Sequence, residues 1–273
     1  MNALSLSYFG INIKILCWFE LNEEKVISIL KKYLPGIDAD NEEVDCIAKT
    51  EIRLIKADEK HESLKVIHQS LENVILEMKA PSLNEFTVLG LLKPALDYIL
   101  SGKRCLYFLH SAGLWVGDNA VLLWGTRAAG KTTLIDYFKG KKYATVNDER
   151  IGLLMEGSYQ TLEKHRNDVI PVSKLSLIIV PYIIPEGPLK IVPIKEDSFL
   201  YELFHETSIS VRGLDAYQGN LILQSLDNEM LSRKRMEWCR GFVRKMKDNA
   251  FFVEGTVESI YRWINDYCEG EKR

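Results

Sequence analysis

The chain has 273 residues, 47% apolar and 27% charged, the balance of a globular protein with room for one large α/β domain and a smaller one. A net charge of −3 gives no reason to expect nucleic acid or an anionic membrane as partner. The longest apolar run, 175–184, contains Pro181 and is too short to span a bilayer. Five scattered cysteines without a C-x-x-C pair argue against a disulfide framework or a zinc site, and no cleavage-site pattern follows the N-terminus. The expected location is the cytoplasm.

Residues 1–85 form a small α+β domain in this reading. The stretch 8–19 is β-rich, with a turn or bulge at Gly10. Asn22 is placed to cap a helix over 23–33, whose Val26, Ile27 and Leu30 share one face and which Pro35-Gly36 stops. Strands are expected in 46–55 and 64–78, separated by charged loops at 38–45 and 58–62. No phosphate motif and no acid cluster with an evident mechanism occurs here, so the domain is structural or recognises an acceptor.

A helix is expected over 84–100, kinked by Pro94. A strand at 105–109 leads to His110, and the turn Gly117-Asp118-Asn119 between two apolar runs predicts an antiparallel hairpin. The apolar strand 120–124 then enters Gly125-Thr126-Arg127-Ala128-Ala129-Gly130-Lys131-Thr132, a complete G-x-x-x-x-G-K-[ST] pattern, with a helix opening behind it. Strand, glycine loop and helix in that order let backbone N–H groups and a helix N-terminus surround phosphate oxygens. Lys131 would reach the β- and γ-phosphates, Thr132 would offer its hydroxyl to Mg²⁺, and Thr133 would lie near the α-phosphate.

A Walker B acid ordinarily follows a long apolar strand, yet 177–180 runs into Pro181-Tyr182 with no carboxylate. The acids come instead at Asp148 and Glu149, after a strand at 143–146. If that strand neighbours the loop strand, both open on one crevice, where a carboxylate holds Mg²⁺ or accepts a proton from an attacking hydroxyl; the bland alternative is a solvated turn pairing with Arg150. Further strands are expected at 150–155, 175–184 and 188–194, a short helix at 198–205, a long charged helix at 227–247, and a last strand and helix at 251–253 and 257–267. The long helix carries Arg233, Lys234, Arg235, Arg240, Arg244, Lys245 and Lys247. Its first reading is a solvated face over Met230, Leu231, Trp238, Phe242 and Val243; its second is a dock for an anionic partner.

His110-Ser-Ala-Gly, the loop from Gly125 to Thr133, and Thr145-Val-Asn-Asp-Glu-Arg-Ile together resemble the catalytic domain of HPr kinase/phosphorylase and its relatives. The resemblance implies an α/β fold with a P-loop kinase core and mixed β-sheet over 86–273, related to PEP carboxykinases. It implies ATP and Mg²⁺ as cofactors and transfer of a phosphoryl group to a serine-type hydroxyl. Asp148 takes the place of the family's catalytic acid, Glu149 stands at the second, metal-side acid, and His110 matches the histidine near the phosphates. Ser210-Val-Arg-Gly-Leu looks like the E-[VI]-R-G-L-G signature, which makes Arg212 a phosphate contact. Thr126, Arg127, Ala128 and Ala129 stand where the family has S-G-x, and the segment after Gly213 lacks the glycine-rich sequence of the bifunctional enzymes.

The expected activity is therefore a kinase, with Asp148 as general base and Lys131 stabilising the transferred group. The acceptor is a small molecule, peptide or protein serine, and a homo-oligomer is left open. The alternative is a nucleotide-dependent switch or ATPase that contacts a partner through its basic C-terminal helix.

Overall fold

The computed structural model describes residues 2–8, 11–17, 23–33, 37–38, 50–56, 62–69, 74–80, 92–126, 128–146, 150–155, 169–212, 221–223 and 228–270. Among these residues the chain is mixed α/β, with six α-helices and three sheets that each combine parallel and antiparallel pairs. Two compact units divide it: Met1–Cys105 with Thr207–Arg233, and Leu106–Glu206 with Lys234–Arg273. The expected division at 85 was a single cut, whereas the chain passes between these units more than once.

The first unit holds β1 (Asn2–Tyr8), β2 (Ile11–Cys17), α1 (Glu23–Tyr33), β3 (Ile37–Asp38), β4 (Thr50–Lys56), β5 (Glu62–Gln69), β6 (Val74–Ala80) and α2 (Lys93–Arg104), with β15 (Leu221–Leu223) added from far along the chain. Its seven strands lie in the order β15-β5-β6-β4-β2-β1-β3. Period-two patterning explains β1 and β2. Leu4, Leu6 and Tyr8, with Ile11, Ile13 and Ile15, are buried, while Ser5 and Lys14 between them face out. Tyr8 stands opposite Ile11, so the expected break at Gly10 falls between paired strands, outside the described residues. In α1 the buried Val26 and Leu30 are one turn apart, as the sequence suggested. Pro94 was expected to kink a helix, but it lies in the first turn of α2, where its missing N–H has no helical partner to lose. Residues 84–91, the start of that expected helix, lie outside the described residues.

The second unit holds β7 (Leu106–Leu109), β8 (Ser111–Val116), β9 (Asn119–Trp124), α3 (Lys131–Gly140), β10 (Ala144–Val146), β11 (Ile151–Leu154), β12 (Val169–Pro171), β13 (Leu175–Ile183), β14 (Lys190–Pro193) and β16 (Ala250–Gly255). Its helices also include α6 (Val257–Gly270) and most of α4 (Glu196–Arg212) and α5 (Glu229–Met246). Six strands run in the order β10-β8-β9-β13-β16-β14, and β7, β11 and β12 form a separate small sheet. The β8–β9 hairpin turns in two residues, with Val116 opposite Asn119 and Gly117 at φ 62°. That is the positive φ a tight hairpin needs at its first turn position.

β9, β13 and β16 are parallel neighbours, and the near-continuous apolar sequence of β9 and of the first part of β13 follows from burial on both faces. Leu122, Trp124 and Ile178 face a core completed by Phe199, Leu203, Trp238 and Phe242 of α4 and α5. Val121, Leu123, Leu177 and Ile179 face a second core completed by Leu134, Ile135 and Phe138 of α3 and by Ile260 and Ile264 of α6. The helix expected at 198–205 is longer than its sequence pattern suggested. In α5, Arg235 is buried and Met230 is exposed, the reverse of the expectation for both. The guanidinium of Arg235 lies 5.0 Å from the ring centre of Phe204. Among the described residues no helix is long and apolar enough to cross a membrane.

Phe138 is the keystone of the α3 side, its ring 5.2 Å from that of Tyr143 and 5.0 Å from that of Tyr261. Phe138→Ala should lower stability by about 3–5 kcal/mol, read as a fall in the urea midpoint at constant slope. Exposed Lys139→Ala should leave the midpoint within about 0.5 kcal/mol of the parent.

Candidate functional site

β9 ends at Trp124 and the chain turns through the glycine loop into α3. Three positions of that turn have φ in the left-handed region: Gly125 at 131°, Ala128 at 66° and Gly130 at 93°. Gly130 is also sterically required. A Cβ there would come within 2.6 Å of Ile183 Cδ1, and one on Gly125 would approach Val180 Cγ1 to 3.2 Å. Both glycines thus allow the turn and its close approach to β13. Gly130 is the N-cap of α3, no side chain caps that end, and the first turn carries no acid. The uncapped N–H groups and the positive end of the helix dipole are left to interact with an anion.

Lys131 begins α3 and is buried, and its Nζ donates to the carbonyls of Gly125 (2.7 Å) and Thr126 (2.9 Å). Burial lowers its pKa, while the charge of Glu206 opposes that shift. Thr126, Ala128, Thr132 and Thr133 are exposed, and Ala129 and Gly130 are half-buried. Arg127 lies outside the described residues.

His110 follows β7 and is exposed. Ser111 stands opposite Trp124, which brings His110 level with Gly125. Its backbone N–H donates to Glu206 Oε1, and the indole Nε1–H of Trp124 donates to Glu206 Oε2. Glu206, on α4, is a carboxylate that sequence reasoning missed. Burial pushes its pKa up to about 7, against the Trp124 and His110 hydrogen bonds and the charge of Lys131, with Glu202 adding to the rise. A signal for it existed. Phe199 and Leu203 are fully buried, and Glu206 continues their stripe at helical spacing, so a carboxylate was being folded onto an apolar face.

The condition that β10 neighbour β9 is not met. β8 lies between them because the two-residue turn pairs it with β9. Val146 is opposite Gly113, which is opposite Leu122. β10 and β9 therefore point the same way, two strand spacings or about 10 Å apart. Asp148 and Glu149 follow β10 and lie outside the described residues. β13 is the parallel neighbour of β9, with Ile179 opposite Leu123. The Val180-Pro181-Tyr182 end of β13 thus passes beside the loop without a carboxylate. Arg212 ends α4 within the first unit, and its side chain is outside the described residues.

Beside the loop opens a cleft of about 460 Å³ whose lining includes Thr126, Ala128, Ala129, Val180 and Phe252. Cross-strand register builds its floor. Val180, Phe252 and Val192 form one row over three strands, and Tyr182, Glu254 and Lys190 form the next. Phe252, Val192 and Tyr182 are exposed, and Lys190 pairs with Glu254 at 2.5 Å. No cluster of three metal-ligating side chains occurs among the described residues. The exposed hydroxyl of Thr132 at the loop end is a donor suited to Mg²⁺, which keeps several waters and needs few protein ligands.

No family model matches the chain, and no curated protein matches it either.

Two outcomes are expected. Gly130→Ala should strain the loop and lower stability by about 1–3 kcal/mol, measured by chemical denaturation. For Glu206, the folded-state pKa of about 7 lies above the ordinary 4.5. The folded chain then keeps a proton that the unfolded chain has released, and stability falls as pH rises between those values, by up to about 1.4 kcal/mol per unit. Glu206→Gln, uncharged throughout, should lose this contribution, so the stability difference from the parent should drift in the variant's favour between pH 5 and 8. Parallel stability curves would refute it.

Proposed function

We propose that the chain is an ATP- and Mg²⁺-dependent phosphotransferase with a P-loop kinase core of the HPr-kinase type, acting on a hydroxyl acceptor. The observation that carries the reading is the glycine loop itself. It joins a strand buried on both faces to an uncapped helix, with positive φ at Gly125, Ala128 and Gly130 and a buried lysine at the first helical position. That is the arrangement in which backbone N–H groups and one ammonium cradle phosphate oxygens. The shared direction of β10 and β9 supports the second half of the reading, because Val146, two residues before Asp148 in the sequence, ends its strand at the same end of the sheet as the loop.

In this mechanism the loop, including Arg127, binds the β- and γ-phosphates, and Thr133 lies beside the α-phosphate. Sugar and base have the adjoining cleft to occupy. Asp148 accepts the proton of the acceptor hydroxyl as its oxygen attacks the γ-phosphorus. The bond to the β–γ bridging oxygen breaks, and ADP leaves with that electron pair. Lys131 moves its ammonium from the Gly125 and Thr126 carbonyls to the phosphates, where its charge offsets the negative charge on the transferring group. Thr132, Asp148 and Glu149 would hold Mg²⁺, which would supply neutralising charge to the phosphate oxygens. His110 stands level with Gly125 and so beside the γ-phosphate. Arg212 is the proposed further phosphate contact.

Transfer of labelled phosphate from ATP to serine, small metabolites, peptides and cell extract tests the activity. Asp148→Asn should lower transfer at least about 100-fold while ATP affinity changes less than about threefold. Lys131→Ala should remove both binding and transfer. ATP hydrolysis with no need for an acceptor would instead favour the switch reading, and unchanged activity in Lys131→Ala would end the nucleotide reading altogether.

A further inference from the structure

Glu206 has no role in the mechanism above, yet it is the carboxylate tied most closely to the loop. It sits half-buried on α4, after the buried Phe199 and Leu203, where partial desolvation still raises its pKa. Both its oxygens are engaged: Oε1 by the backbone N–H of His110 at the end of β7, and Oε2 by the indole N–H of Trp124, the residue before Gly125. It therefore joins three separate segments at the point where the loop begins.

Among the described residues, charged side chains from two helices act on it. Lys131 comes from α3 and attracts it; Glu202 lies one turn back on α4 and repels it. From the β7 end His110 contributes its backbone N–H, and from β9 Trp124 contributes a neutral donor. Lys131 in turn is stabilised as an ammonium by Glu206 while it donates to two carbonyls of the loop. Carboxylate and phosphate thus compete for the same cation.

We propose that Glu206 is a positioning residue of the phosphate loop: it anchors Trp124 and His110 at the mouth of the loop, holds Lys131 by charge, and takes up one proton when a bound phosphate draws Lys131 away. The proposal rests on the nucleotide reading above. No bond between heavy atoms changes; one proton passes from solvent to a carboxylate oxygen and forms its O–H bond, and the site stays neutral when the ligand's negative charge arrives. A desolvated acid facing an added anion responds in this direction. Burial has already brought the Glu206 pKa to about 7, so the uptake falls in the range where proteins are handled.

The test is calorimetric titration of the full chain with ATP and Mg²⁺ in buffers of different ionisation enthalpy, which counts protons bound with the ligand. The nucleotide's own protonation is common to all variants and cancels in the comparison. At pH 7.5 the parent should take up at least about half a proton more than Glu206→Gln. Between pH 6 and 8 its affinity should fall roughly five- to tenfold more than the variant's. Trp124→Phe keeps an aromatic ring and removes only the indole donor. It should move the pH midpoint of the parent's affinity up by about one unit, which keeps the test decisive if Glu206→Gln folds poorly. Equal proton uptake in parent and Glu206→Gln, or an unmoved midpoint in Trp124→Phe, would overturn the role of Glu206 while leaving nucleotide binding standing. Failure of the parent to bind ATP would remove both.

Discussion

Burial of β9 on both faces is the constraint from which the second unit follows. Alternate side chains of one short strand enter two different cores, Leu122 and Trp124 on the α4–α5 side and Val121 and Leu123 on the α3–α6 side. Both edges are paired as well, antiparallel with β8 and parallel with β13. A strand so enclosed cannot slip by one residue without exchanging its two faces. The loop at its end inherits that fixed position, which the proposed phosphate binding would need, since its N–H groups would have to be in place beforehand.

The loop's surroundings then become a question of charge in a partly desolvated place. Lys131 is desolvated and bonded to carbonyls, and Glu206 is desolvated and bonded to two N–H donors. Neither forms its strongest contact with the other, so each remains responsive to a third charge. A fully satisfied ion pair at this spot would be more inert. Across the sheet, the cleft presents a row of apolar side chains and then the Lys190–Glu254 pair, a flat surface with one polar edge.

Much of this was legible in the chain. The loop motif announced a strand, a turn and a helix, and those three are present with the required φ values at Gly125 and Gly130. The hairpin at Gly117 was legible because its turn chemistry is local. Pro94 was misjudged since the same residue that breaks a helix interior is well suited to a first turn, and only the helix boundary separates the two cases. Arg235 was counted with a basic solvated face because charge is visible in sequence and burial is not; its neighbours Arg240 and Arg244 are exposed as expected. Whether β10 would neighbour β9 was left conditional in the sequence, and the hairpin, by claiming that edge for β8, decided it.

By itself the sequence determined the glycine loop, the alternation or continuity of apolar residues in each strand, and the absence of an acid after Val180. These are local properties, set by backbone sterics and by the period of each element. Only the tertiary structure decided that Glu206 faces Lys131, that Trp124 and His110 donate to it, and that β13 with β16 lays an open shelf beside the loop. Those contacts join residues far apart in the chain. They arise because α4 must bury Phe199 and Leu203 against the sheet, and the carboxylate one turn on is carried to the loop with them.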